Sequence, residues 1–273
     1  MEAGSAGRLK IAGAVFVLGL FAVVALSLGA RSAGAGKPAP ALLPDLIVPK
    51  PTELFVDKLG KQRILRFSHT TANIGRGPLE ISPDLEAENC ASDGEDWFDA
   101  DQYVYRDTDG SGAFERGVDA APEKRPVGCM YFHEPHDHYH FRDFALYELY
   151  RERTGNRVAT SDKVSFCVFD LQEYNGDLPG AEQFYSGSNC DRSDGTHGIS
   201  VGWADVYGAF TPGQELNVTG KRRGRYCLVA RADPDNRLDE QGNTANNVRR
   251  LRIALRPGRG LVNHLSGRCK SAR

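Results

Sequence analysis

The feature that most constrains this chain is an apolar run at its amino terminus, followed by cysteines that occur only beyond it. Residues Ile11–Ala30 carry no charge, and Arg8 and Lys10 precede them. A basic stretch before a long apolar one reads as an export signal, and twenty apolar residues are also enough to span a bilayer as one helix. Ala33-Gly34-Ala35 offers a small-x-small cleavage pattern, so both a cleaved signal and a retained anchor fit. Under either reading the basic flank keeps the amino terminus in the cytoplasm and sends everything after it outside. There thiols oxidise, and Cys90, Cys129, Cys167, Cys190, Cys227 and Cys269 are expected to form three disulfides. Proximity favours Cys167 with Cys190. The other pairings stay open, and the absence of any CxxC argues against a zinc ribbon.

The whole chain of 273 residues has 34 basic against 36 acidic residues. Removing Arg8, Lys10, Arg31, Lys37 and Glu2 with the leader leaves 30 against 35, a net charge of −5 on the remainder. A nucleic-acid binder would show the opposite sign there. Between residues 45 and 256 lie short segments rich in β-branched and aromatic residues, among them YHFRDFALYELY and RYCLVARADPDN, several with period-two alternation. These predict a mainly β domain, an antiparallel β-sandwich with long loops, preceded by one hydrophobic helix. The expected organisation is a leader and linker over 1–37, the folded domain over 38–257, and a basic tail over 258–273 that is loose unless Cys269 ties it down.

Four of the seven histidines fall in His133-Glu-Pro-His136-Asp-His138-Tyr-His140. On an extended strand His136, His138 and His140 share one face at about 6.6 Å intervals, so the outer pair, about 13 Å apart, can share a metal only where the strand bends or bulges. Three neutral imidazoles without nearby thiolates suit copper or zinc with an open position. His133 reads equally as a supporting group or a surface residue.

The segment HEPHDHYHFRDFALYELY resembles the copper-binding strand of the lysyl oxidase family. That family makes a lysine tyrosylquinone from one lysine and one tyrosine of its own chain. Asp162-Lys163-Val164-Ser165-Phe166-Cys167 is similar to its lysine segment, and Asp205-Val206-Tyr207-Gly208-Ala209, preceded by His197-Gly198-Ile199-Ser200-Val201-Gly202, to its tyrosine segment. The resemblance implies a copper amine oxidase that converts primary amines, peptidyl lysine among the candidates, to aldehydes, using dioxygen and releasing ammonia and hydrogen peroxide. It implies Lys163 and Tyr207 as cofactor precursors. Asp205, two residues from Tyr207 and able to face the same way, is the candidate base, with a structural turn as its other reading. Pro135 and Trp203 stand where animal members carry cysteines, so their disulfide framework is not reproduced. Without the quinone, the same residues describe a non-catalytic copper- and calcium-binding module. A cupin-like oxygenase lacks its glutamate after the His-x-His.

The loop from Asp233 to Asn247 gathers hard oxygen donors suited to calcium. The resemblance implies a site of Asp45, the Leu46 carbonyl, Glu240, Asn243, Asn246 and Asn247, with an Asx-rich turn as the alternative. Asp107-Thr-Asp109-Gly-Ser111-Gly112 opens like an EF-hand loop, but its twelfth position is Val118 where a bidentate glutamate is expected, and it reads as a turn. Asn217-Val-Thr219 is a glycosylation sequon.

Overall fold

The computed structural model describes residues 38–87, 89–90, 96–119, 122–242 and 244–269; the apolar leader and Asn243 lie outside them. Helical structure among the described residues is confined to short 3-10 turns, and none of their helices is long and apolar enough to cross a membrane.

The strands form three antiparallel sheets. The largest, of eleven strands, runs in the order His197–Ile199, Leu79–Asp84, Trp97–Arg106, Glu123–His133, His138–Arg151, Gly224–Ala232, Val248–Arg256, Leu261–His264, with Ala41–Leu42 also pairing with Trp97–Arg106, and Arg157–Thr160 and Val164–Phe166 with His138–Arg151. Trp203–Tyr207 and His69–Asn73 form the centre of a four-stranded sheet, and Gln62–Arg66 the centre of a three-stranded one. One hydrophobic core draws on all three: Leu46, Leu65 and Leu216 from the small sheets meet Ile81, Phe141, Tyr147 and Leu228 from the large one. The edge of the Phe67 ring against Tyr147, 5.0 Å between centroids, ties the layers together. The sandwich expected from the alternation is therefore present.

His138–Arg151 is the hub. It pairs with Glu123–His133 on one side and Gly224–Ala232 on the other, while Arg157–Thr160 and Val164–Phe166 also hydrogen-bond to it. Most of its residues are buried, in runs of two or three broken by half-buried positions, and the chain bulges at Asp143, whose φ is +62°. Pairing jumps there from Val164 with Ala145 to Phe166 with Phe141. A bulge of this kind adds a residue on one strand and re-aims a side chain.

The partner strand Glu123–His133 escapes sequence reading because Pro126 and Gly128 look like breakers. Both sit at a second bulge, where Ala100 pairs with Gly128 and Asp101 with Pro126, and Gly128 takes a φ of +120° that a side chain would resist.

The disulfides join Cys90 to Cys129, Cys167 to Cys190 and Cys227 to Cys269. The last one, with the strand Leu261–His264 on Val248–Arg256, fixes the basic carboxy-terminal stretch as far as Cys269 to the large sheet. That stretch is not loose: the condition under which Cys269 holds it is the one met.

Candidate active site

The four histidines close a hairpin. Tyr131 pairs with His140 and His133 with His138 across the two strands, and the connection is a 3-10 turn, Glu134–His136, with Pro135 near its start. Asp137 ends it in the left-handed region at φ +57°, its N–H donating to the carbonyls of His133 and Glu134. His136 thus lies on the turn and not on the strand carrying His138 and His140. The expected single extended face is corrected: a tight turn, not a bent strand, brings the rings together, because proline starts it and aspartate tolerates the left-handed closure.

The result is a compact imidazole cluster. Ring centroids lie 4.2 Å apart for His133 and His136, 4.8 Å for His133 and His140, and 4.9 Å for His138 and His140. His133, His136 and His140 each offer a ring nitrogen, all within 4.8 Å of one another, while Nε2 of His138 is 3.0 Å from Nε2 of His140. Burial, reinforced by the repulsion of neighbouring imidazoles, lowers the pKa of His133 and His138 and brings that of His140 down to about 3. The rings of His133, His138 and His140 are therefore neutral at physiological pH, the form that can bind a metal. The Tyr131 hydroxyl lies 3.1 Å from His140 Nδ1 and orients that ring, leaving Nε2 toward the cluster. Nδ1 of His133 is buried without a partner. An all-imidazole donor set of this kind fits copper or zinc.

His197 was not singled out in the sequence, although it opens the segment preceding Tyr207. It is fully buried, its Nδ1 accepts the Val168 N–H at 3.3 Å, and its Nε2 has no partner. Its pKa falls to about 3 through burial and the nearby His140 and His138. The Cys167–Cys190 bridge and the backbone bridge between Asp191 and His138 brace this side of the hairpin.

Lys163 stands at the entry to the strand Val164–Phe166, half-exposed, with Nζ 2.6 and 2.8 Å from the carboxylate oxygens of Asp235 and 3.9 Å from Asp143. Arg237 shares both carboxylates, at 3.0 Å and 3.7 Å. The bulge at Asp143 is what turns its carboxylate to this group. Tyr207 ends the strand Trp203–Tyr207. Its ring stacks on Phe166 at 4.0 Å and its hydroxyl donates to the Cys167 carbonyl. Burial, with Asp205 and Tyr147 adding to it, pushes the phenol pKa well above the usual tyrosine value. A cavity of about 860 Å³ has His136, His138, His140, Lys163 and Tyr207 in its wall.

Asp205 lies behind that wall, only 2% exposed, with one carboxyl oxygen unpartnered. Burial raises its pKa far above the carboxylate range, and the charge of Asp170 adds to the rise.

The calcium candidates also meet, apart from Asn243, which lies outside the described residues. Asn246 Nδ2 donates to Asp45 at 2.6 Å, Asn247 Nδ2 to Glu240 at 2.5 Å, and the Leu46 N–H to Glu240 at 2.7 Å. Both amide oxygens, of Asn246 and Asn247, are buried without partners, and burial lifts the Glu240 pKa to about 7. Two orphaned carbonyl-type oxygens beside two carboxylates match the hard donors that calcium takes.

The lysyl oxidase family model matches residues 114–264. The human protein-lysine 6-oxidase is 32% identical over 126 residues, covering 46% of this chain and 28% of that protein. The pig protein-lysine 6-oxidase is 32% identical over 130 residues, 47% of this chain and 48% of that protein. Human lysyl oxidase homolog 1 is 32% identical over 126 residues, 20% of its length. The match thus spans less than half of each of these relatives. With the family model covering more than half of the chain, the protein belongs to the lysyl oxidase family.

Proposed function

We propose that this chain is an exported copper-dependent amine oxidase of lysyl oxidase type, converting primary amines, peptidyl lysine among them, to aldehydes. The observation that carries this reading is the opening of Lys163, Tyr207 and the histidine hairpin onto one cavity. Export through the apolar leader agrees with three disulfides beyond it.

His136, His138 and His140 would hold the copper, with His133 close enough to join or support them. Copper and a quinone made from Tyr207 and Lys163 would supply the two-electron oxidation of the amine, with dioxygen as final acceptor, water as the oxygen source, and ammonia and hydrogen peroxide released.

The rest falls to the chain's own groups. The stack on Phe166 and the bond to Cys167 fix the Tyr207 ring in the wall of the cavity that the imidazoles also line. Asp235 holds the Lys163 amine as an ion pair. To join the ring, that amine must leave the carboxylate and lose a proton, and the partial exposure of the pair allows this. Asp205, on the same face of its strand as Tyr207, is the proposed base for the substrate α-proton; because burial favours its protonated form, it must give up that proton before it can accept one from the substrate. Asp45, Glu240, Asn246 and Asn247, with Asn243 and the Leu46 carbonyl, would hold calcium at a distance in sequence from the reacting groups.

The test is amine-dependent hydrogen peroxide release by the copper-loaded chain, offered n-butylamine, cadaverine and a lysine-rich peptide. Peroxide from one of them, abolished by Tyr207→Phe, supports the oxidase. Copper binding with no peroxide from any amine would leave the non-catalytic metal-binding module as the better description.

A further inference from the structure

The loop between the strands Trp97–Arg106 and Glu123–His133 holds a second group of acidic residues, unconnected with the cavity. Asp107, Asp109 and Asp119 each present a carboxylate oxygen, all within 4.8 Å of one another. Asp107 and Asp119 are buried, 8% and 1% exposed, while Asp109 is at the surface. Among the described residues no lysine, arginine or histidine forms an ion pair with any of the three; the nearby Arg116 is turned to Glu80 and Tyr185.

Main-chain donors meet most of the oxygens. The Gly112 N–H donates to Asp107 Oδ2 at 3.0 Å, the Ser111 N–H to Asp109 at 2.9 Å, and those of Thr108 and Glu115 to Asp119, each at 2.9 Å. Asp107 Oδ1 meets none: it is buried, without a partner, in a cluster that already gathers three carboxylates. Excluding a carboxylate oxygen from water without a donor is costly, and repulsion within the cluster adds to the cost. A bound divalent cation answers both.

We propose that this loop is a calcium site, with Asp107, Asp109 and Asp119 as its carboxylate ligands. Alternate positions of the loop supply the rest of an oxygen-only set: the Ser111 hydroxyl and the Ala113 carbonyl, 2.9 Å apart, follow Asp107 and Asp109 in the spacing of an EF-hand loop. The missing glutamate at the twelfth position is replaced one residue later. Gly117 takes a φ of +90°, and the Asp119 N–H donates to the Glu115 carbonyl at 3.0 Å. That turn leaves Val118 exposed and brings Asp119 inward. Reading the loop by the twelfth position alone fails for that reason. Carboxylate, hydroxyl and carbonyl donors in a loop favour calcium over magnesium, which prefers a stricter octahedron with several waters. Phe114 packs on Leu42 and Tyr105, so ordering the loop secures an edge of the β domain.

The test uses the full exported chain, stripped with EGTA and titrated calorimetrically with calcium chloride, beside Asp107→Asn, Asp109→Asn and Asp45→Asn. The loop site requires that Asp107→Asn bind one calcium fewer per chain than wild type, and that Asp109→Asn lower one affinity at least tenfold. Asp45→Asn must keep the loop's calcium, which separates this site from the one around Glu240. With the affinity ordinary for extracellular calcium modules, wild type should also gain about 5 °C in Tm at about 10 mM calcium, a rise reduced in Asp107→Asn. Because Asp109 is exposed, its variant reports even where Asp107→Asn fails to fold. Calcium binding identical to wild type in Asp109→Asn and Asp107→Asn, or in Asp109→Asn alone where the other does not fold, would overturn the proposal. So would the absence of calcium binding to Asp45→Asn.

Discussion

Lys163 Nζ sits against both oxygens of Asp235, at 2.6 and 2.8 Å, so the amine proposed for cofactor formation is held in an ion pair away from the tyrosine ring it would have to join. The pair is partly exposed, 37% and 28% for the two side chains, and such pairs contribute little to stability, about 0.2–1 kcal/mol. Asp235→Asn should therefore move Tm by less than about 3 °C. It should also speed the appearance of quinone absorbance after copper and air are added, because it releases the amine from the ion pair that holds it. Slower or unchanged development, followed at the visible band, would contradict this role.

Asp205 sets activity against stability. Burial raises its folded pKa above its unfolded value, so the folded state binds the proton more tightly and stability falls as pH climbs from about 4 toward the folded pKa, by up to about 1.4 kcal/mol per pH unit. The neutral amide of Asp205→Asn lacks that slope. Its Tm should exceed that of wild type by a margin that widens between about pH 5 and pH 8, while amine oxidation is lost. Parallel Tm curves for the two proteins would remove the premise that this carboxyl is protonated by its burial.

His133 differs from what its position outside the His-x-His-x-His run suggests. Its ring lies 4.2 Å from that of His136 and 4.8 Å from that of His140. His133→Ala should weaken copper binding about 10–100-fold, measured by competition with a chelator, with Tm of the metal-free protein nearly unchanged. Wild-type copper affinity in this variant would return His133 to the surface.

The Cys167–Cys190 bridge closes a loop of 23 residues beside the hairpin and carries the carbonyl that Tyr207 bonds. Replacing both cysteines by alanine should cost about 3 kcal/mol and lower Tm by roughly 6–12 °C. Copper affinity should fall as well, since Asp191, next to Cys190, bridges His138. A stable variant with full copper affinity would show that the bridge does not brace the site.

The residues doing the proposed chemistry were legible where they occur as a compact run or a recognisable segment: His136, His138, His140, Lys163 and Tyr207. The alternation in YHFRDFALYELY marked the hub strand, and short separation singled out Cys167 with Cys190. What stayed hidden depends on long-range pairing or on backbone geometry. Cys90 with Cys129 and Cys227 with Cys269 are separated by 39 and 42 residues, and no local rule selects them. Pro126 and Gly128 concealed the strand carrying His133, because residues that break a regular strand also build a bulge in one. Asp143 and Asp235 become partners of Lys163 only through a bulge and a distant loop. His197 lacked a local signal because a single histidine is ordinary until the fold buries it beside others.

The most direct measurement is the visible spectrum and quinone stain of the chain folded with copper in air, for wild type, Lys163→Ala and Tyr207→Phe. The account predicts a quinone band in wild type that both variants lose while retaining copper. Copper-loaded wild type without that band, or a band that persists in either variant, would contradict it.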